Sequence, residues 1–192
     1  MKSSTIDFLF EAAALKRLHR TGWQILGGGN TESIAEHSFM VAVIAYVMAV
    51  GRNLNLEKIL MIALFHDFEE TRTGDVYKLA DLYTDSNKGK AIRDAFSNLP
   101  QSAKITGLLE EYVQGKSWEA KLVKDADTIA LCVELKVLIE SGNQNAGEWL
   151  KANLESLKTE TAQELGKALV KSNSQNWWKK QRKTLHDLMV EK

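Results

Sequence analysis

The chain has 192 residues, with 25 lysines and arginines against 25 aspartates and glutamates, one cysteine and one proline. Balanced charge argues against a dedicated nucleic-acid binder, which carries a basic excess. A single cysteine excludes an intrachain disulfide and points to a reducing compartment, the cytoplasm. No apolar run is long enough to span a membrane, and Asp7 and Glu11 interrupt any signal-like apolar segment at the start. At this length folding buries roughly 70% of the unfolded surface, so a core forms without cross-links. With few breakers and abundant Ala, Leu, Lys and Glu, the expected fold class is all-α, a single helical domain over residues 1–192.

In chain order, Phe8, Ala12, Leu15 and Leu18 predict a first helix over residues 4–19. Arg20-Thr21-Gly22-Trp23 follows, then Gly27-Gly28-Gly29-Asn30. No Gly-Lys-Ser/Thr comes after the glycines, so they are no P-loop and read as a flexible loop. Ser33-Ile34-Ala35-Glu36 has the capping-box pattern and opens a second helix to about Gly51. That helix is apolar nearly all round (Phe39, Val43, Val47 and Val50 among others), which predicts a position central to the core. His37 lies in its first turn, where a lone histidine is more often a satisfied core or surface residue than a ligand.

Asn55 is the expected cap of a third helix, an apolar run from Leu56 that delivers His66 and Asp67 side by side. If helix continues, Glu70 shares their side, and Thr73-Gly74-Asp75 then ends it. An exposed helix is predicted over residues 86–98, another from Pro100 to about Gln114, and a long one from Trp118 to about Glu140, capped by Ser117. Helices at about 146–171 and 175–190 complete the chain. The last mixes Trp177 and Trp178 with Lys179, Lys180, Arg182 and Lys183. A membrane or nucleic-acid surface is one reading; the expected one is an amphipathic helix with its rings packed on the domain and its lysines in water.

Four residues carry the chemistry. His66-Asp67 reads either as a pair of metal ligands or as a helix C-terminus with His at the negative end and Asp in water. An Asp closing a buried run needs a partner, and a divalent cation is one. Asp127 has the same need, because it shares a helix face with Ala120, Val123, Ala130 and Leu131. Asp125 is explained better by a boundary salt bridge to Lys121 or Lys124. His37, His66, Asp67 and Asp127 stand on three predicted helices that a bundle can turn toward one site. Two imidazoles and two carboxylates suit Mn, Co, Fe or Zn.

The arrangement H…HD…D resembles the HD-domain phosphohydrolase superfamily. Arg20 to Trp23, Glu32 to Ser38, His66 to Glu70, Thr73 to Asp75 and Lys124 to Asp127 look like the branch containing bacterial 5′-deoxynucleotidases, over roughly residues 5–140. The resemblance implies a single HD-domain helical bundle. It implies His37, His66, Asp67 and Asp127 as ligands of one divalent ion (Mn, Co, Zn, Fe or Mg), Glu70 as the catalytic acid and Asp75 as a further acidic site residue. It implies Arg20 on the substrate phosphate, with Trp23 nearby. Two departures stand out: Arg20 and Trp23 are separated where some members place them side by side, and Gly27 to Gly29 replace basic or bulky residues. The implied reaction is hydrolysis of a (deoxy)nucleoside 5′-monophosphate to nucleoside and phosphate, by a cytoplasmic homodimer acting on a small nucleotide, with no nucleic acid or membrane partner. Rivals are a phosphodiesterase, a nucleoside triphosphate or (p)ppGpp hydrolase and, in another class, a non-catalytic helical module with a structural metal.

Overall fold

Helix starts in this chain are set by side chains that satisfy the orphan amides of a first turn. The computed structural model describes residues 3–27, 29 and 31–190. Gly28 and Asn30 of the expected flexible loop lie outside the described residues. In order, the helices are α1 (Ser3–Ala14), α2 (Gly22–Leu26), α3 (Ile34–Ala49), α4 (Leu56–Phe65), α5 (Glu70–Thr73), α6 (Lys78–Asp81), α7 (Lys88–Phe96), α8 (Ser102–Gln114), α9 (Trp118–Glu140), α10 (Ala146–Ser156), α11 (Glu160–Lys171) and α12 (Lys179–Val190), the last preceded by a 3₁₀ turn at Asn176–Trp178. The capping box forms as predicted: Glu36 N donates to Ser33 Oγ at 3.2 Å and Ser33 N to Glu36 Oε2 at 2.7 Å. Asn55 and Ser117 cap α4 and α9 as expected, accepting from Lys58 N at 3.0 Å and Ala120 N at 3.1 Å.

The fold is all-α; among the described residues the extended pairing is one isolated antiparallel bridge, His19 to Ser33. That bridge explains why α1 stops before the predicted residue 19. Leu15 and Leu18 turn their carbonyls to Ala35 N (3.2 Å) and Ile34 N (2.9 Å), so the chain leaves the helix to brace the start of α3. The centre is α3, α4 and α9, packed through Val41, Met48, Ile59, Ile62, Val123 and Ala126. A second core joins α1, α7 and α8 around Phe68 and Phe96, with the Phe8 and Phe68 rings stacked at 4.9 Å. A third sets Trp23 and Leu26 of α2 on Leu135 of α9 and Leu150 of α10.

Five expectations are corrected. The helix predicted over 146–171 is broken at residues 157–159, because the buried Asp125 takes the amides of Lys158 (3.0 Å) and Thr159 (2.6 Å). Those amides, and not Lys121 or Lys124, are the partners of the Asp125 carboxylate. The helix α7 is not an exposed one: Ile92 and Phe96 are buried on one face. The helix α3 is central along one side only, since Phe39, Val43, Val47 and Val50 are 40–63% exposed. The rings of the last helix do not pack on the domain in the way expected; Trp177 is 81% exposed and no residue of α12 is buried. Among the described residues no helix is long and apolar enough to cross a membrane.

Candidate functional site

His37 enters the site from the first turn of α3, where the capping box fixes the backbone, and is fully buried. His66 and Asp67 follow α4, where the chain tightens: Phe68 N bonds Phe65 O at 3.1 Å and Glu70 N bonds Asp67 O at 3.1 Å, one residue shorter than α-helical pairing. The tightened turn leads into α5, tied to α1 by a two-point pair of Arg72 with Glu11 (2.6 and 2.9 Å). Arg72 holds the Glu11 carboxyl below its ordinary range, against the opposing effect of burial. Asp127 comes from the middle of α9.

These elements bring all four sequence-derived ligands together. One donor atom each of His37, His66 and Asp127 lies within 4.8 Å of the others. Asp67 Oδ2 is 3.1 Å from His66 Nε2 and 3.9 Å from His37 Nε2. The chemistry of the donor set tests whether an ion fits. His66 Nδ1 lies 2.9 Å from the Ala63 carbonyl, which can only accept, so Nδ1 carries a proton and Nε2 is the nitrogen left to ligate an ion. That Nε2 is buried and makes no well-aligned hydrogen bond; it meets the Asp67 carboxylate at 3.1 Å as an ion-pair contact. A buried imidazole nitrogen crowded against two carboxylates is a costly arrangement for a core and a suitable one for a divalent cation. His37 fits less directly. Arg20 Nη1 donates to its Nδ1, so its Nε2–H donates to Asp127 Oδ1 at 2.9 Å.

Electrostatics follow from this crowding. Burial, aided by Arg20 and His66, lowers the His37 pKa, which favours the neutral form needed for ligation. Burial also opposes charge on His66, but the Asp67 carboxylate outweighs it and pushes His66 up to about 9. Burial works against the Asp127 carboxylate too, yet the His37 hydrogen bond and the His66 charge hold it well below the usual range. Burial and then the charges of Asp67, Asp75 and Glu69 push Glu70 up to about 9. Glu69 is pushed up to about 7 by burial and Asp67.

Beside the cluster lies a cavity of about 710 Å³, lined by Asp67, Asp127, Glu70, Asp75, Arg20 and Trp23 among others. All four of the other sequence-derived residues therefore face one space. Asp75 is anchored by Thr21, whose amide and hydroxyl (2.9 Å) donate to its Oδ2. Trp23 is 4% exposed and donates from Nε1 to Glu32 Oε2 at 2.9 Å, so it is a wall of the cavity rather than a free ring. Sequence reasoning missed several neighbours. Glu32 stands 3.7 Å from Arg20 Nη1 and 3.9 Å from His37 Nδ1. Tyr112 of α8 donates to Asp127 Oδ2 at 3.4 Å. Lys88, Trp149 and Asn153 line the cavity from α7 and α10. Glu32 lies inside a motif and was visible there; the others carry no local signal.

A family model described as HD domain matches residues 12–171. The chain belongs to the HD-domain phosphohydrolase family. Within it the HD domain is similar to the 5′-deoxynucleotidase of Yersinia pseudotuberculosis, 33% identical over 166 residues that cover 78% of this chain and 81% of the relative. A conserved hypothetical protein from Pyrococcus furiosus superposes with a TM-score of 0.76 at 33% identity, covering 87% of this chain and 99% of that one. The HD phosphohydrolase of cyanophage S-2L, bound to dA and one catalytic Zn²⁺ ion, shares the fold at 21% identity and a TM-score of 0.54, covering 85% and 96%.

Proposed function

We propose that this chain hydrolyses nucleoside 5′-monophosphates, deoxynucleotides in particular, to nucleoside and phosphate, with one divalent ion held by His37, His66, Asp67 and Asp127. The observation that carries the reading is the buried Nε2 of His66, without a well-aligned hydrogen bond and crowded against two carboxylates, beside a cavity that also holds Arg20. The relatives named 5′-deoxynucleotidase and the dA-bound cyanophage neighbour support the substrate class.

When bound, the ion supplies Lewis-acid activation of water and neutralisation of phosphoryl charge. The protein supplies the rest. With its Nε2 lone pair used as a ligand, His37 carries its proton on Nδ1, where Glu32 Oε1 at 3.9 Å is the nearby carboxylate. Arg20 is thereby released from His37, and its planar fork is free to clamp a phosphate in the cavity. Glu70, kept protonated by burial and its acidic neighbours, is poised to donate to the leaving 5′-oxygen or, once a cation offsets those neighbours, to orient and deprotonate the attacking water. Asp75, held by Thr21 and lining the same cavity, is the acceptor this reading assigns to a sugar hydroxyl.

The test is phosphate release from a panel of deoxy- and ribo-5′-mononucleotides by chelated protein re-supplied with Mn, Co, Zn or Mg. Metal-dependent release, greater for the deoxy series and lost in Glu70→Ala, is expected. Release only from diesters or triphosphates reassigns the substrate. Stoichiometric metal without any turnover reassigns the chain to a non-catalytic module.

A further inference from the structure

The proposed reaction uses most of the charged groups around the cavity: Asp67 and Asp127 for the ion, Arg20 for the phosphate, Glu70 and Asp75 for the water, the leaving oxygen and the sugar. It leaves unused the wall built by α9 and α10. Trp149, Asn153 and Ser156 line the cavity at i, i+4 and i+7, which is one stripe of α10. Thr128 and Leu131 join them from α9, just beyond Asp127.

Hydrogen accounting gives this wall a chemical sign. Each of its three uncharged polar side chains donates to a main-chain carbonyl of its own helix, which can only accept. Thr128 Oγ1 donates to Lys124 O at 3.1 Å, Asn153 Nδ2 to Trp149 O at 2.8 Å and Ser156 Oγ to Asn153 O at 2.7 Å. The two hydroxyls have then spent their one hydrogen, and the Asn153 amide is oriented with Oδ1 left over. A ligand meets three acceptors here, with one N–H of Asn153 beside them. Trp149 does not reverse this. A Cβ added at Gly22 would lie 3.9 Å from its Cζ3, the ring atom opposite Nε1, so the α2 side of the cavity meets the apolar edge of the indole.

We propose that this wall reads the base of the nucleotide and selects bases with an exocyclic amino group, cytosine and adenine, over their oxo counterparts, uracil and hypoxanthine. The inference rests on the nucleotidase reading for the placement of a nucleotide in this cavity. Trp149 and Leu131 supply a flat apolar surface of the kind a base packs on. Asn153 stands one turn along, where the edge of that base falls. An amino group brings two hydrogens on one nitrogen, enough for two acceptors. Uracil brings one, on N3, between two oxygens, and an oxygen set against these lone pairs leaves both sides unpaired. The remaining N–H of Asn153 suits the ring nitrogen beside the amino group, the one-acceptor, one-donor pairing that asparagine makes with adenine. Lys78 and Lys88 also line the cavity, but both are exposed, and a hydrated ammonium discriminates little between bases.

The test compares kcat/KM of the metal-supplied protein for dCMP against dUMP, and for dAMP against deoxyinosine 5′-monophosphate. Each pair differs only in the amino or oxo group and the proton on the ring nitrogen beside it. Deoxycytidine and deoxyuridine are titrated in parallel by calorimetry, since their binding needs no turnover. Expected is a preference of about tenfold for the amino member of each pair, carried by KM. It should shrink in Thr128→Val, which keeps the shape of the side chain, and in Asn153→Leu. Phosphate released equally well within each pair overturns the proposal and leaves the nucleotidase reading standing. So does a preference that neither variant moves. A preference for the oxo members overturns it too, and moves base reading to Tyr77, Lys78 or Lys88, the donors elsewhere on the cavity lining. Tighter binding of deoxycytidine, with no phosphate from any monophosphate, supports the base wall and overturns the nucleotidase reading instead. Neither binding nor turnover overturns both.

Discussion

Glu70 collects opposing demands in one carboxyl: it is 7% exposed, close to Asp67, Asp75 and Glu69, and faces the cavity. In the proposed reaction a group in that position acts on the substrate or its water and does not hold the ion. Glu70→Gln is therefore expected to lower kcat by about 10²–10⁴-fold with the metal content, read by elemental mass spectrometry, unchanged. Loss of metal along with activity would move Glu70 into the ligand set. Asp125 and Asp127 make a second contrast. They are two residues apart on α9 and turn to different partners, one to the backbone amides before α11 and one to His37. Asp127→Asn is expected to empty the metal site and abolish turnover. Asp125→Asn is expected to keep both and to lower stability by about 1–3 kcal/mol, as one acceptor oxygen is lost to two buried amides. The opposite pattern would overturn the ligand assignment. At this scale the sequence was legible where an acid interrupts an apolar face, which singled out Asp127. It misread Asp125, because its partners are amides some thirty residues away that no side-chain pattern reveals.

The elements hold the site through rings and caps rather than through the ligands themselves. Phe68, in the turn that presents His66 and Asp67, stacks on Phe8 of α1 and lies 4.9 Å from Phe96 of α7. Phe96→Ala is expected to cost about 3–5 kcal/mol in denaturant unfolding, the range for a fully buried phenylalanine. It should also weaken metal retention, because the turn loses its backing. A cost under about 1 kcal/mol would show that α7 is peripheral. Helix starts were readable because Ser33, Asn55 and Ser117 are capping residues with local partners. Helix ends were less so: α1 stops at Ala14 because the start of α3 captures the carbonyls of Leu15 and Leu18, a tertiary event.

For the whole molecule, a buried acidic cluster stores a dependence on pH and metal. In chelator-treated protein Glu70 and His66 both have folded pKa values of about 9, above their unfolded values near 4.5 and 6.5. Between pH 7 and 9 the folded state therefore binds more protons than the unfolded one, and stability falls as pH rises. His37, whose pKa is lowered, is deprotonated in both states there and adds nothing to the slope. The melting temperature of the metal-free protein is expected to drop from pH 7 to 9. A bound divalent cation should raise it by more at pH 9 than at pH 7, since ligands and neighbours are then already deprotonated. A melting temperature that rises with pH in the metal-free protein would contradict the arrangement of charges described here. The helical class and the capped starts were determined by the sequence alone, because capping and breaker content are local properties, and the candidacy of His37, His66, Asp67 and Asp127 was legible there through the resemblance to the H…HD…D pattern. Only the tertiary structure decided which face of α3 stays bare, that Asp125 breaks the helix after α10, that Arg20 rests on His37, and that Lys88, Trp149 and Asn153 complete the cavity. Each of those depends on contacts between distant residues, and sequence spacing carries no record of which distant surfaces meet.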